Sequence, residues 1–502
     1  MSPLMRLTSP AWWVGMGMLL LAATALVSRQ RDVFARTDAT VTVLASPIGS
    51  PDSSLAYLAE GLTDEVTANL AKYAAVDVRM SRATSTTGAS LREVARALGV
   101  AHVVTLAVRR TGTVIDVVVN MTRVRDGRVV WSDTFRDEAG DLVRVPMRIV
   151  NELAHALSAA GSSAPRGQPG LGTDDAIAHD AFLQGRYHLD RRGAASLRLA
   201  RERFQDAVAR DPGFARAHAG LSMSATLLTL YDRRAFPRDS MLPLAQAAAE
   251  RAVALDATSS DAQAALGLAL TYRGRDHWPR AEVAYREAVS RDPRNANAHG
   301  WLAELLIAQG RTEEAVRAME RATASDPLSG IHFAVYGNHL RIAGRADDAI
   351  RAGERALQLN PAVQAIWEFY GRTLVSSGRR DSGLRVFAAH APRHPLYTYF
   401  RAESGDLAVR DSARRVFRQW KATGADRDGS VPPPVTLALA GGDATFALDL
   451  LEQALSSNPA FPLHTPLVDD IYDSLRDSVR FRNLVVRAGL DVGRHVDARR
   501  PR

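Results

Sequence analysis

Residues 292–327 read DPRNANAHGWLAELLIAQGRTEEAVRAMERATASDP, and this stretch decides the fold of the larger part of the chain. It begins and ends on Asp-Pro, and apolar residues at helical spacing lie on both sides of Gly310. The pattern recurs every 34 residues. Three columns keep this period: Pro293, Pro327, Pro361 and Pro395; Gly310, Gly344 and Gly378; Ala281, Ala315 and Ala349. The period predicts tandem units of two helices each, with a turn at the glycine.

A period of 34 residues closely resembles that of tetratricopeptide repeats. In this reading the glycine ends the first helix of a unit, and the small alanine lets the second helix lie close to the first. The proline ends the unit, because it cannot continue a helix. About six units are predicted over residues 174–396, and they should stack into an all-α solenoid, since one helix pair cannot bury its apolar face alone.

The first helices of such units line a concave groove that accepts an extended or helical peptide. We therefore predict a protein or peptide partner and a partner-binding groove at the inward positions of the 34-residue phase. These positions are Tyr272, Trp301, Glu304, Asn338, Arg341, Phe369 and Arg372. The competing interpretation is that the aromatic side chains pack between repeats and the charged ones form a solvated face.

Residues 40–159 show a different pattern, which predicts a small α/β domain. Alternating apolar residues over 40–48, 101–108, 114–124 and 128–135 predict strands. Helical periods over 54–73, 90–98 and 141–158, with a short strand at 76–80, complete the order βαβαβββα. Asp126-Gly127 joins the last two strands and is a strong hairpin signal, because both turn residues must tolerate positive φ.

Three segments of this domain resemble the TolB N-terminal-like (FlgO-like) domain: LAEGLTDE at 58–65, VARALGV at 94–100 and DGRVVW at 126–131. In that family the domain lies between a membrane helix and tetratricopeptide repeats, and it commonly follows a kinase, cyclase or winged-helix effector. The resemblance implies an extracytoplasmic interaction or sensing module. Only ten residues precede the apolar segment described next, so we expect no effector domain in this sequence.

No charge occurs between Arg6 and Arg29. As a helix this stretch would cover about 33 Å, enough to span the hydrocarbon core. We predict a transmembrane helix over residues 11–28, within an anchor segment 1–39, and a single-pass inner (cytoplasmic) membrane protein whose bulk is extracytoplasmic. The alternative is a signal peptide cleaved near 23–25. The arginines that flank the segment favour the opposite orientation.

Residues 160–173 are rich in Gly, Ser and Pro and predict a linker. Residues 397–502 predict a helical cap that ends in a basic tail. Within the cap, Asp469, Asp470 and Asp473 lie at helical spacing. We interpret them as a solvated face rather than a catalytic carboxylate pair.

The composition and the motifs of the sequence argue against most kinds of catalytic, metal and nucleic-acid site. There are no cysteines, which excludes thiolate metal sites and a cysteine nucleophile. The net charge is +8, but Arg alternates with Asp and Glu along the chain, so no nucleic-acid partner is expected. His390 and His394 lie on either side of Pro392 without a metalloprotease pattern, and no phosphate-binding or nucleophile motif occurs. We expect no enzyme activity, no cofactor and no metal.

The predicted fold class is α+β: an N-terminal transmembrane helix, the small α/β domain and the tetratricopeptide solenoid. The predicted function is a membrane-anchored, non-catalytic scaffold or sensor that binds a protein or peptide. Two alternatives remain: a signalling component acting with a separate kinase or cyclase, and an enzyme or small-ligand sensor built in the α/β domain.

Overall fold

The structure is a computed structural model, and it describes most of the chain from residue 40 onward. The described residues are 40–46, 55–73, 76–79, 91–138, 142–157, 171–191, 193–361, 363–390, 392, 394–403, 407–423, 433–458, 460–461 and 467–495. They form two compact units, one within residues 40–157 and one within residues 171–495.

The smaller unit is a five-stranded sheet with helices. Its strands are β1 (Thr40–Ala45), β2 (Asp77–Val78), β3 (His102–Thr111), β4 (Val114–Arg123) and β5 (Val129–Glu138). Its helices are α1 (Ala56–Leu70), α2 (Leu91–Leu98) and α3 (Val145–Leu157). The strand order is β2-β1-β3-β4-β5, with β1 parallel to both neighbours and β3, β4 and β5 antiparallel. Gly127, at φ 71°, lies in the turn between β4 and β5.

Strands β1 and β3 are buried on both faces of the sheet, whereas β4 is buried on one face only. On β4, Ile115, Val117 and Val119 are buried, and the residues between them are partly exposed. Helix α1 packs against β1, β3 and α3, and α3 packs against β5. The period of two along β4 therefore separates a covered apolar face from a polar one, on which Arg136 Nε donates to Asp116 Oδ1 at 2.7 Å.

The larger unit is helical throughout its described residues. Its helices over the repeats are α4 (Ala176–Arg191), α5 (Ala194–Arg210), α6 (Ala215–Tyr231), α7 (Arg238–Leu255), α8 (Ser260–Arg273), α9 (Trp278–Arg291), α10 (Ala296–Ala308), α11 (Thr312–Ser325), α12 (Gly330–Ile342), α13 (Ala346–Leu359), α14 (Gln364–Ser376) and α15 (Arg380–His390). Each of these helices packs against the next along the chain. This is the contact pattern of a helical solenoid.

The turn glycine has the predicted role. Gly344, at φ 77°, follows α12 in the left-handed conformation that glycine adopts without a steric penalty. The Gly344 N–H donates to the Arg341 carbonyl and the Arg345 N–H to the Leu340 carbonyl, both at 2.9 Å, which satisfies two carbonyls at the helix end.

A second glycine role depends on close packing inside a repeat. A Cβ atom on Gly267 of α8 would lie 2.6 Å from the ring of Tyr285, which is fully buried in α9. We expect Gly267→Ala to lower the free energy of unfolding by about 1–3 kcal/mol, because the ring has no room to move.

Gly300 of α10 is the matched control, since a Cβ there meets nothing closer than 3.9 Å. Gly300→Ala should stabilise by roughly 0.5–1 kcal/mol. Urea unfolding measures both changes, and equal effects would contradict this account.

Three aromatic rings form hydrogen bonds between the start of a repeat and the proline that precedes it. The ring nitrogens of His218, His299 and Trp367 bond to the carbonyls six residues earlier, at Pro212, Pro293 and Pro361, over 3.1, 3.0 and 2.6 Å. Burial lowers the pKa of His218 and His299, although the carbonyl opposes it. These two histidines are therefore structural, and the sequence pattern alone did not identify their role.

Beyond α15 the chain folds into a further helical region with a core of its own. Its helices are α16 (Pro395–Ala402), α17 (Leu407–Thr423), α18 (Pro433–Ala440), α19 (Ala444–Ser457), α20 (Val479–Arg487) and α21 (Val492–His495), with a 3₁₀ helix at Asp470–Leu475. Phe387 of α15 belongs to the same apolar cluster as Tyr472 and Phe481. The C-terminal region is thus continuous with the last repeat.

The predicted fold class needs correction. The protein is mostly a tetratricopeptide-like helical solenoid with a small N-terminal sheet, rather than an α+β protein with a transmembrane helix. Among the described residues no helix has the length and apolar content to cross a membrane. Even α7, with 18 residues, carries Arg238, Asp239 and Glu250. The single-pass inner-membrane localisation is not supported, and the segment predicted to span, residues 11–28, lies outside the described residues.

Candidate functional site

Six of the seven residues predicted to line the groove lie on the first helices of three successive repeats, α10, α12 and α14. Helix α12 packs directly against α14. Glu304, Asn338 and Arg372 are spaced by 34 residues and therefore occupy the same position in successive repeats. We call the surface formed by Trp301, Glu304, Asn338, Arg341, Phe369 and Arg372 the groove face.

The basic residues of the groove face bind two carboxylates of the same chain. Arg341 Nη2 donates to Asp469 Oδ2 at 2.9 Å, and Arg341 Nη1 donates to Asp470 Oδ1 at 2.6 Å. Arg372 Nη2 also donates to Asp469 Oδ1. Asn338 accepts from Arg341 through Oδ1, at 2.9 Å from Nη2 and 3.3 Å from Nε. Two guanidinium groups therefore hold Asp469 and Asp470 on the groove face, and the Asn338 amide orients one of these groups.

This ion network is largely removed from water. The Arg341 side chain is 2% exposed and that of Asp469 is 3% exposed, whereas Asp470 keeps 34% of its surface. Burial raises the pKa of the Asp470 carboxyl, but the guanidinium groups of Arg341 and Arg372 outweigh burial and hold this pKa well below its usual range. Burial would lower the pKa of Arg341, and the two carboxylates reverse the direction and raise it. Arg341 and Asp470 are therefore charged at neutral pH.

His339, which lies two residues before Arg341 on α12, should make the stability of this unit sensitive to acid. Burial lowers the pKa of His339 to about 3, and the charge of Arg341 adds to this effect. The ordinary value is 6.5, so between pH 6.5 and 3 the unfolded chain binds a proton that the folded chain does not. Stability should fall as the pH falls through this range, by up to about 1.4 kcal/mol per pH unit from this residue.

His339→Leu should remove this contribution. We expect the loss of unfolding free energy between pH 7 and pH 4.5 to be smaller in His339→Leu than in the wild type, measured by urea unfolding at both values. Identical losses of unfolding free energy in the two chains would show that His339 takes up a proton in the folded chain.

The segment that carries the two carboxylates is itself ordered by local contacts. The Asp469 side chain accepts the Ile471 N–H at 3.1 Å and so caps the 3₁₀ helix. Arg476 Nη2 donates to the Asp469 carbonyl at 2.9 Å. Ile471 and Tyr472 are buried in the C-terminal core. The segment 467–476 is therefore held in the shape in which its carboxylates reach the groove face.

A second point of contact with the C-terminal region lies at an earlier repeat. Arg275, between α8 and α9, donates through Nη1 to the Phe461 carbonyl and through Nη2 to the Leu455 carbonyl, each at 3.5 Å. The C-terminal region thus contacts the repeats at Arg275 as well as at Arg341 and Arg372. The repeat pattern predicts an open groove, whereas the structure places Leu455, Phe461 and the segment 467–476 against the repeats.

The other predicted residues differ in their surroundings. Tyr272 of α8 is buried, and burial raises the pKa of its hydroxyl, with the charge of Glu304 acting in the same direction. Trp301 and Phe369 are half-buried and pack against apolar clusters between helices. The ion pairs with residues 467–476 described above are made by Arg341 and Arg372.

The interpretation of Asp469 and Asp470 as a solvated face is wrong. Asp469 is buried, and Asp470 binds Arg341. Only Asp473 is exposed as expected, and it accepts from Arg476 Nε at 2.6 Å. The three residues lie at the start of a 3₁₀ helix rather than on one helical face, and local spacing contained no information about a basic partner 128 residues away.

The described residues show no arrangement suited to metal chemistry, since no group of three or more His, Asp or Glu side chains could hold a metal ion there. His390 lies over the ring of Trp367 with 3.5 Å between ring centroids, and His394 Nδ1 accepts the Leu396 N–H at the start of α16. Both histidines therefore have structural contacts.

Comparison with known proteins supports the prediction of tetratricopeptide repeats. Residues 275–334 match the tetratricopeptide repeat family. A curated relative from Rhizobium meliloti (strain 1021), named "Putative adenylate cyclase 3", is 29% identical over 241 residues. The aligned part is 47% of this chain and 40% of the relative, so this chain spans less than half of the relative's length.

Two solved structures show similar folds. A thermophilic tetratricopeptide repeat protein of Thermus thermophilus is 17% identical, with a TM-score of 0.34, and covers 39% of this chain and 99% of its own. The human IFIT1 dimer with m7Gppp-AAAA is 14% identical, with a TM-score of 0.39, and covers 62% of this chain and 77% of its own. The predicted repeat is confirmed: the larger unit is a tetratricopeptide-like solenoid, and residues 275–334 match the tetratricopeptide repeat family.

Proposed function

We propose that this chain is a non-catalytic interaction scaffold whose repeats bind a protein or peptide partner on the groove face. The observation that carries the proposal is that the groove face binds a polypeptide segment, residues 467–476 of the chain itself, through Arg341 and Arg372. A solenoid of helix pairs offers an extended binding surface without built-in chemistry. Arg341 and Arg372 supply charge for a partner, and Trp301 and Phe369 supply half-buried aromatic surface beside it.

A site-specific photo-crosslinker tests this proposal. Benzoylphenylalanine replaces Trp301 on the groove face, and in a matched variant it replaces the exposed Val283 on α9, the second helix of a repeat. After irradiation in cells, position 301 should yield discrete adducts with another polypeptide and position 283 should not. Equal adducts from both positions, or none from position 301, would count against a partner on the groove face.

The organisation of the chain completes the proposal. We propose that residues 40–159 form a TolB N-terminal-like interaction or sensing module, joined by the linker 160–173 to the repeats at 174–396 and the cap at 397–502. The support is the resemblance of the motifs at 58–65, 94–100 and 126–131, together with the β-sheet unit in which they lie.

A second candidate is a signalling component that acts with a separate kinase or cyclase. It is supported by the similarity to a relative named as an adenylate cyclase, of which this chain spans 40%. The purified chain with ATP and Mg²⁺ should produce no cyclic AMP above the blank, because we propose that catalysis belongs to another polypeptide. Turnover by the purified chain would place an enzyme activity in it and exclude a purely non-catalytic role.

A further inference from the structure

We infer that the groove face recognises an acidic peptide with two successive carboxylates, and that Asp469 and Asp470 of the chain itself occupy this site until such a partner displaces them. This inference rests on the proposed function, because it specifies the partner of the same surface. It adds that the chain carries its own competing ligand.

The basic site belongs to the repeats, whereas its occupant comes from elsewhere in the chain. Arg341 lies on α12 and Arg372 on α14, so their positions are set by the stacking of successive repeats. Asp469 and Asp470 lie 128 and 129 residues beyond Arg341, at the N-cap and the first residue of the 3₁₀ helix. The two partners of the contact are therefore supplied by different parts of the unit.

The site is built for carboxylates. Arg341 directs one nitrogen to each of two neighbouring carboxylates, and Arg372 binds the first of them from the other side. Asn338 accepts from Nε and Nη2 of Arg341 and so fixes the plane of its guanidinium group. A guanidinium held in place loses less conformational freedom when it binds, which favours bidentate recognition of acids.

Burial makes the acidic character of the ligand a requirement. Arg341 is nearly inaccessible to water, and a buried cation without an anionic partner is strongly disfavoured. A peptide that covers Arg341 in place of residues 467–476 must therefore supply carboxylates to its guanidinium group. A neutral peptide cannot do so, which gives the site its selectivity.

One edge of the site remains accessible to a competitor. Asp470 keeps 34% of its side-chain surface, and its neighbour Ser376 on α14 is exposed. The ion pair of Arg372 with Asp470 is long, at 3.8 Å. An incoming acid can therefore engage Arg372 and Arg341 from this edge first. An internal ligand acts at a high effective concentration, so the wild-type chain should bind such a peptide much more weakly than a chain whose site has been opened.

The probe is a labelled synthetic peptide, LVDDIYDSLR, which copies residues 467–476, and the control peptide is LVNNIYDSLR. Binding to the full chain is followed by fluorescence anisotropy. The acidic peptide should bind D469N/D470N at least about tenfold more tightly than wild type, and the control peptide should bind neither. Adding Arg372→Gln to the opened variant should abolish binding. Equal affinity for both peptides, or no binding to a folded opened variant, overturns the inference.

A second measurement uses the wild-type chain and does not depend on the folding of a variant. Hydrogen exchange of the amides at 470–475 should accelerate when the acidic peptide is added at saturating concentration and should not change with the control peptide. Unchanged exchange with both peptides overturns the inference. If the opened variant instead forms a mixed dimer with wild type by light scattering, the occupant is a second copy and the acidic partner is excluded. A different outcome is that the acidic peptide fails to bind while position 301 still yields adducts that position 283 does not. That outcome would retain the proposed function and reject only this inference.

Discussion

Replacing Arg341 by Met in the full chain should lower the free energy of unfolding by about 3–5 kcal/mol, because the change leaves Asp469 buried with only Arg372 as a cationic partner. The matched control is Arg345→Met, three residues after the end of α12. Arg345 is exposed and pairs with Asp348 at 2.7 Å. An exposed pair of this kind contributes about 0–1 kcal/mol. The two variants lose the same charge and differ mainly in burial.

Urea unfolding of the two variants at pH 7 measures the difference. A double-mutant cycle with Asp469→Asn then isolates the interaction between residues 341 and 469, which should be strongly non-additive because the two side chains are in direct contact. Similar losses in R341M and R345M would show that the buried network contributes no more than a surface ion pair, and the assignment of the groove face would then lose its energetic support.

Replacing Phe387 by Ala should have a comparable effect, about 3–5 kcal/mol, for a different reason. Phe387 is 1% exposed and lies in the apolar cluster that joins α15 to the C-terminal region. Its ring centroid lies 5.9 Å from that of Phe400 and 6.2 Å from that of Tyr397. Truncation leaves a cavity that the surrounding rings cannot fill, and a cavity adds to the lost burial of the ring.

The control for Phe387→Ala is Val479→Ala, at the exposed start of α20 in the same region, which should change stability by less than about 0.5 kcal/mol. Since Phe387 connects the repeats to the segment that reaches the groove face, Phe387→Ala should also increase hydrogen exchange at 470–475. A large loss of stability without faster exchange there would show that the segment is held independently of this core.

The periodic features of the fold could be read from the sequence because they are local. The column of glycines placed the turns, and Gly344 adopts the expected left-handed conformation. The stretches patterned as strands at 101–108, 114–124 and 128–135 coincide with β3, β4 and β5 at 102–111, 114–123 and 129–138. A period of 34 residues or of two residues recurs along the chain, so each copy of the pattern supports the same structural prediction.

The candidate site could be predicted only in part. The same period pointed to Asn338, Arg341 and Arg372, which the structure brings together. Their partners at 469 and 470 lie outside the repeat, where no period relates them to the groove. Tyr272, placed in the groove by the same projection, is buried instead. The transmembrane helix was inferred from local composition, namely a run of uncharged residues. A long-range contact such as Arg341–Asp469 leaves no trace in local composition.

The central claim, that the C-terminal carboxylates lie on the groove face, is tested most directly by a disulfide. The chain has no cysteines, so an introduced pair reports without interference. The Ser376 hydroxyl on α14 helps to lower the pKa of the Asp470 carboxyl, so the two side chains lie close together and S376C/D470C should form an intramolecular disulfide on mild oxidation. The control pair S376C/V283C, nearly three repeats apart in the chain, should not. A monomer of S376C/D470C that keeps two free, reagent-accessible thiols after oxidation would contradict the account.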